Sequence, residues 1–202
     1  VPVIAVIPVK SFRLGKQRLS SVLPEEQRRD IGARLAEHTV ETAEAAGLVP
    51  VIVAGDPEVA EWALRGGIPV VEDPGIGLDG AARAGAEWAD TGGNTWLVLH
   101  ADLPLLDVAD LEVLCDTLEQ QTPVIAPSAD GGTSAIGADG SFAFSYGPRS
   151  FHRHLARLRG AEIVSRVGLL HDLDSPDDLA SASKHPRGAW LAGPSTSRIG
   201  AW

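Results

Sequence analysis

Short apolar runs alternate with helix-patterned stretches from the first residue to Gln120, and this alternation limits the fold more than any other feature. Val1 to Val9 is continuously apolar and rich in Val and Ile. That is the pattern of a strand buried on both faces, as in a parallel sheet. Pro24 to Gly47 predicts a helix: Pro24 suits the first helical position, Glu25 and Glu26 favour the positive end of the dipole, and Gly47 ends it. Ile31, Leu35, His38 or Thr39, and Thr42 recur at helical spacing within it. Pro50 to Ala54 predicts a second strand and Pro57 to about Arg65 a helix. Ile68 to Val71 follows as a short strand, then Leu78 to Asp90 as an Ala-rich helix. Trp96 to Leu99 is another strand, and Asp107 to Gln120 a helix with Asp107 as its N-cap. This order predicts an α/β three-layer sandwich with a mostly parallel central sheet.

The pattern changes after Pro123. Val124 to Pro127 and Ser134 to Gly137 predict short strands, with Phe142 to Tyr146 pairing through the turn at Ala138-Asp139-Gly140. Ser150 to Leu158 predicts a helix and Glu162 to Val164 an edge strand. Ser175-Pro176-Asp177-Asp178 is a helix start, with a Ser cap, Pro at the first position and an acid at the third. The expected organisation is one domain over residues 1–184 and a C-terminal tail over 185–202. The tail is rich in Gly, Pro and Ser and reads as mobile or peripheral, although Trp190 and Trp202 could dock on something.

Composition excludes several classes. A net charge of −10 lacks the broad basic face needed to wrap a long nucleic acid. No apolar run reaches the ~18 residues of a membrane span, and no secretion signal is evident, so a cytoplasmic location is expected. The one cysteine, Cys115, excludes an internal disulfide and sits on a helical pattern, where a thiol is more often core than nucleophile.

Three acids stand out. Asp102 lies just past the apolar run Trp96 to Leu99, and Asp172 and Asp174 are spaced i, i+2, which in extended chain points both carboxylates to one side. Convergent carboxylates make a hard-cation site, suited to Mg2+ holding a phosphate. Lys10, Arg13, Lys16 and Arg18, four of the chain's 17 lysines and arginines, directly follow the first strand. Ligands of open α/β sheets bind beyond the carboxyl ends of strands, so a triphosphate could sit there; the alternative is a solvated surface loop. The loop lacks the GxxxxGK(S/T) and GxGxxG signatures of the commoner nucleotide folds. Asp130-Gly131-Gly132-Thr133 and Tyr146-Gly147-Pro148-Arg149-Ser150 offer backbone amides and hydroxyls to an anion, with Arg149, His152, Arg153 and His154 close by. Each loop alone reads equally as a hairpin turn or a helix cap. His100, beside Asp102, could support a metal acid or simply pack.

Five segments, in order, resemble one family: Ile7-Pro8-Val9-Lys10 with Gly15-Lys16-Gln17-Arg18-Leu19; Asp102-Leu103-Pro104-Leu105; Gly131-Gly132-Thr133; Tyr146-Gly147-Pro148-Arg149-Ser150-Phe151; and Asp172-Leu173-Asp174-Ser175-Pro176. The family is the 2-phospho-L-lactate or phosphoenolpyruvate guanylyltransferases of coenzyme F-420 biosynthesis, and the resemblance spans roughly residues 3 to 182. It implies a nucleotidyltransferase fold, like that of nucleotide-diphospho-sugar transferases. It also implies transfer of GMP from GTP to the phosphate of a small phospho-acid, with release of pyrophosphate. By that resemblance Lys10, Lys16 and Arg18 are triphosphate contacts, and with Asp102 they form the catalytic set. Asp102, Asp172 and Asp174 are the Mg2+ ligands, and Thr133, Gly147 and Ser150 contact the phospho-acid. Two positions depart from the family: Leu78-Asp79 stands where Leu-Asn is usual, and Ala101-Asp102 where Gly-Asp is frequent.

The expected mechanism needs no protein nucleophile, because the attacking phosphate oxygen is already an anion; cations must screen two polyanions and position them in line. The expected partners are GTP and the phospho-acid, with neither nucleic acid nor membrane; oligomeric state is open, a homodimer being a guess. Rival readings are a nucleotidyltransferase or glycosyltransferase acting on a sugar phosphate or molybdopterin, and a non-catalytic nucleotide-binding regulator. The residues do not distinguish phosphoenolpyruvate, 2-phospho-L-lactate and 3-phosphoglycerate, and none is identified as reading guanine.

Overall fold

The computed structural model describes residues 1–193 of the 202-residue chain. Strands β1 (Val3–Pro8), β2 (Val49–Ala54), β3 (Val70–Glu72) and β4 (Thr95–Leu99) pair in parallel, with β1 between β2 and β4. Helices α1 (Glu25–Ala45), α2 (Pro57–Arg65) and α3 (Leu78–Thr91) alternate with them, and α4 (Val108–Glu119) follows β4. Pro24 sits at the N-cap of α1 rather than at its first helical position. Then come β5 (Val124–Pro127), β6 (Thr133–Ala138), α5 (Ser150–Arg157) and β7 (Glu162–Ile163), and after them α6 (Val167–Leu170) and α7 (Pro176–Lys184). The seven strands make one sheet in the order β3-β2-β1-β4-β6-β5-β7.

The continuous apolar runs have a direct cause. Ala5 and Ile7 pack with Ala33, Ala36 and Val40 of α1, while Ile4 and Val6 pack with Ala81, Ala82 and Ala86 of α3. Successive side chains therefore both meet helices, so neither face of β1 can be polar. The result is three layers: α1, α2 and α4 on one face, α3 and α5 on the other. At Gly85 a Cβ would lie 2.2 Å from Val6 Cγ1, so α3 lies closer to the sheet than any side chain there would allow.

The sheet changes direction at β6, which pairs antiparallel with both β4 and β5. Leu99 stands opposite Ala135, and the His100 amide donates to the Ser134 carbonyl at 3.0 Å. The start of β6, with Thr133, thereby lies at the same sheet end as Asp102, which leaves β4 at its carboxyl end.

The strand expected over Phe142 to Tyr146 does not form. Its backbone groups are taken by side chains instead. Arg153 donates to the carbonyls of Ser145 and Tyr146, and Arg157 to that of Ala143 at 2.8 Å. The Ser145 and Tyr146 amides donate to His154 and Asp79. The alternating aromatics bury themselves in a ladder: Phe142 and Phe144 pack on Trp96, and Tyr146 on His154. Alternation here reflects a packed loop whose polar groups are met by side chains of α5 and by Asp79 of α3, not a ladder of strand bonds.

Residues 185–193 begin the segment read as a tail. Pro186–Ala192 form a 3-10 helix, and Leu191 is buried with Leu19, Leu35, Leu105 and Leu173. Trp190 stacks on His38 at 4.7 Å between ring centroids and donates from Nε1 to the Pro104 carbonyl at 3.1 Å. Trp202 lies outside the described residues. Among the described residues no helix is long and apolar enough to cross a membrane.

Candidate active site

The loop after β1, the turn after β4 and the segment before α7 meet at the carboxyl end of the parallel strands. Lys10, Lys16, His100, Asp102, Asp172 and Asp174 all line one cleft of about 330 Å³ there. Lys16 reaches across it: its Nζ donates to Asp102 Oδ2 at 2.8 Å and to Asp174 Oδ1 at 3.3 Å. Arg18, largely exposed, stands 3.7 Å from Asp174 Oδ2. Lys16 has φ 51°, a left-handed conformation rare for a side-chain-bearing residue, and it starts the 3-10 helix Gln17–Ser21. Arg13, grouped with these cations by sequence, points away and pairs with Glu58 of α2 at 3.1 Å.

The charges shape one another. Burial works against the Lys16 ammonium, yet the Asp102 and Asp174 carboxylates outweigh it and hold its pKa above the ordinary lysine value. Burial likewise works against Asp102, and Lys16 and His100 outweigh it and hold its carboxyl below the ordinary range. Among the described residues no cation pairs with Asp172. Burial, then the Asp102 and Asp174 carboxylates, push its carboxyl above the ordinary range.

Among the described residues no three His, Cys, Asp or Glu side chains stand in a ready-made metal-ligand arrangement; the Lys16 ammonium bridges Asp102 and Asp174. The donor chemistry still fits a hard divalent cation. All three acids on the cleft offer anionic oxygen, and Asp102 Oδ1 is buried without a hydrogen-bond partner. An orphaned carboxylate oxygen beside an acid of raised pKa is a site short of positive charge.

The small-residue loops meet each other. The Phe151 amide donates to the Gly131 carbonyl at 3.4 Å, and Ser150 Oγ lies 3.2 Å from Thr133 Oγ1. Both hydroxyl residues are enclosed, 1% exposed each, while Gly147, with φ 100°, is exposed at the loop tip. Asp130 closes its own turn, its Oδ1 accepting from the Gly132 amide at 2.8 Å. Aromatic contacts join the two halves of the site. His100 lies 4.0 Å from Asp102 Oδ1 and 5.4 Å, centroid to centroid, from Tyr146, which in turn packs at 4.8 Å on His154. His100 Nε2 and Tyr146 Oη are also buried without partners.

Three residues take on meaning only in the structure. Asp79, at the start of α3, accepts from the Tyr146 amide at 2.5 Å, a bond that an Asn side-chain oxygen could also accept. Arg153 holds the carbonyls of the 145–148 loop, which occupies the guanidinium that sequence grouped with an anion site. His154 is fully buried and bonded to both Thr133 and Ser145. A lone histidine carries no spacing signal; its one clue was its place in the cationic run after Gly147-Pro148. Ala101 has no positive φ, so its replacement of a family glycine costs nothing. Burial, then Glu119, Asp116 and Glu112, push the Cys115 thiol up to about 11, which makes it a poor nucleophile.

The family model for CofC-like guanylyl transferases matches residues 3–188. The chain is 38% identical over 188 residues to the phosphoenolpyruvate guanylyltransferase of Rubrobacter xylanophilus, covering 88% of this chain and 92% of that one. It is 34% identical over 197 residues to the phosphoenolpyruvate guanylyltransferase of Sphaerobacter thermophilus, covering 92% and 95%. A solved structure from Desulfovibrio desulfuricans, assigned as a nucleotide-diphospho-sugar transferase, superposes with a TM-score of 0.74 at 16% identity over 94% of each chain. At that identity the likeness concerns the fold, which is the three-layer nucleotidyltransferase architecture.

Proposed function

The chain belongs to the CofC-like guanylyl transferase family and is a nucleotidyltransferase, and from that premise we propose that it joins GMP from GTP to the phosphate of phosphoenolpyruvate, releasing pyrophosphate. 2-Phospho-L-lactate, with the same three-carbon frame and phosphate, is the second acceptor to test. The observation that carries this reading is the Lys16 bridge between Asp102 and Asp174, at the sheet end where antiparallel β6 also delivers Thr133. A cation clamp and an anion-binding hydroxyl pair at one end of a sheet suit a reaction between two phosphates.

In the step, an acceptor phosphate oxygen attacks the α-phosphorus of GTP. The bond from that phosphorus to the oxygen bridging it to the β-phosphate breaks, and the electron pair leaves with pyrophosphate. Lys10, Lys16 and Arg18 neutralise the triphosphate and the charge that grows on the leaving group. Thr133, Ser150 and the backbone at Gly147 orient the acceptor, and with both hydroxyls enclosed their surroundings must open for it to reach them. Asp102, Asp172 and Asp174 are the residues that would hold Mg2+, which supplies charge neutralisation to phosphate oxygens. Holding the two phosphates in line accounts for the remainder of the rate.

Pyrophosphate release is the test. The purified chain with Mg2+, GTP and phosphoenolpyruvate should release it, and omission of the acceptor should stop release. Release with ATP or CTP in preference to GTP, or with a sugar phosphate in preference to both three-carbon acids, would overturn the assignment.

A further inference from the structure

His154 lies at the centre of a closed set of hydrogen bonds whose directions can be counted. The Ser145 amide donates to its Nε2 at 2.8 Å, and its Nδ1 lies 3.0 Å from Thr133 Oγ1. An amide can only donate, so Nε2 is the bare nitrogen. A neutral imidazole carries one proton, which must then be on Nδ1 and point at Thr133. Thr133 therefore accepts from His154. Thr133 and Ser150, 3.2 Å apart, exchange one further bond, Ser150 Oγ donating. Two hydroxyl hydrogens are present and one is used. The other has no acceptor among the described residues, on a pair 1% exposed. With the opposite tautomer, Thr133 would donate to His154 and Ser150 to Thr133, and none would be left.

We propose that His154 is a positioning residue of the acceptor site: it donates from Nδ1 to Thr133, so that the Thr133–Ser150 pair keeps one hydrogen to give to an oxyanion of the phospho-acid. The surroundings hold the imidazole neutral. Burial dominates and lowers its pKa to about 4, with Arg153 and Arg157 of its own helix and His100 across the ladder acting the same way and Asp79 opposing. The inference rests on the proposed acceptor site, and it explains why a buried histidine stands behind two hydroxyls.

Two measurements test it. Long-range proton–nitrogen NMR on the full chain with 15N-labelled histidine, assigned by the signal missing from His154→Gln, should show the neutral Nδ1-protonated form at pH 6. An Nε2-protonated or charged ring would overturn the proposal, whatever the activity. In kinetics, His154→Gln keeps a side-chain amide near Ser145 but presents no donor at the Nδ1 position. It should raise the phosphoenolpyruvate KM about tenfold with little change in that for GTP, the loss of a charge-assisted bond. His154→Asn, whose amide nitrogen can occupy the Nδ1 position, should recover most of that loss. Equal phosphoenolpyruvate KM values in the two variants, with melting temperature alone affected, would mean a structural role only. Absence of transfer in the unmodified protein would refute the proposed function, while the tautomer would still be read from the spectrum.

Discussion

The Lys16 ammonium lies 2.8 Å from Asp102 Oδ2, although 86 positions separate the two residues. Removing it strands a half-buried carboxylate. Lys16→Met should cost on the order of 2–3 kcal/mol, less than for a fully buried pair because Asp102 keeps some exposure, and lower Tm by about 5–10 °C. Adding Asp102→Asn should restore much of the Tm but none of the transfer. The pH dependence has two edges. Asp102 is depressed, so its share of the stability is present above the ordinary carboxylate value of 3.8 and is lost as pH falls through its folded value. Lys16 is raised, so its share is present below 10.5 and is lost as pH rises through its folded value. The Tm gap between wild type and Lys16→Met should stay level between those limits and shrink outside them.

Asp174→Asn should fold normally, since its side chain is 46% exposed, yet lose transfer by about 10²–10³-fold. Mg2+ titration monitored by melting temperature separates the roles. Wild type should be stabilised by Mg2+ in the presence of GTP, and Asp174→Asn much less so. Equal stabilisation of the two proteins would remove Asp174 from the metal assignment.

Stability should rise between pH 4 and pH 6.5 through His154. Its folded pKa is lowered to about 4 against an ordinary 6.5, so protonation favours the unfolded chain across that window. The effect is at most about 3 kcal/mol, and His154→Asn should remove this part of the Tm–pH slope. A slope unchanged in the variant would assign it to other groups.

Trp190→Ala should lower Tm by about 4–10 °C, through loss of the stack on His38, the contact with Arg34 and the cover over Leu191. The KM values for GTP and phosphoenolpyruvate should stay within about twofold, because the ring packs on His38 of α1 and does not line the cleft. A selective rise in one KM would tie the C-terminal segment to the site.

The sequence made the parallel half of the fold readable because β1, β2 and β4 are buried on both faces, which leaves unbroken apolar runs. Helix starts were equally legible where a side chain closes the first turn: Asp107 accepts from the Ala109 amide, and Ser175 and Asp178 form a reciprocal capping box. Phe142 to Tyr146 misled because alternation reports which side chains are buried, not which groups bond the backbone, and here Arg153, Arg157, His154 and Asp79 do so. Helix α6, a single turn, is too short to show a period. In the site, residue types and order were readable, but direction was not. Nothing in the spacing of Arg13 distinguishes a cation turned towards Glu58 from one turned into the cleft, and nothing marks His154 as the partner of Thr133.

The reversal of β6 also has an evolutionary consequence. On the proposed reading, the cations that hold the nucleotide follow β1 and the hydroxyls that hold the acceptor lie on β6 and α5, and these stretches join through the β4–β6 pairing, the Asp79–Tyr146 bond and the packing of Phe142 and Phe144 on Trp96. On that reading, substitutions between β5 and α5 would change which acid is taken while the parallel strands and the β4–β6 pairing stay as they are.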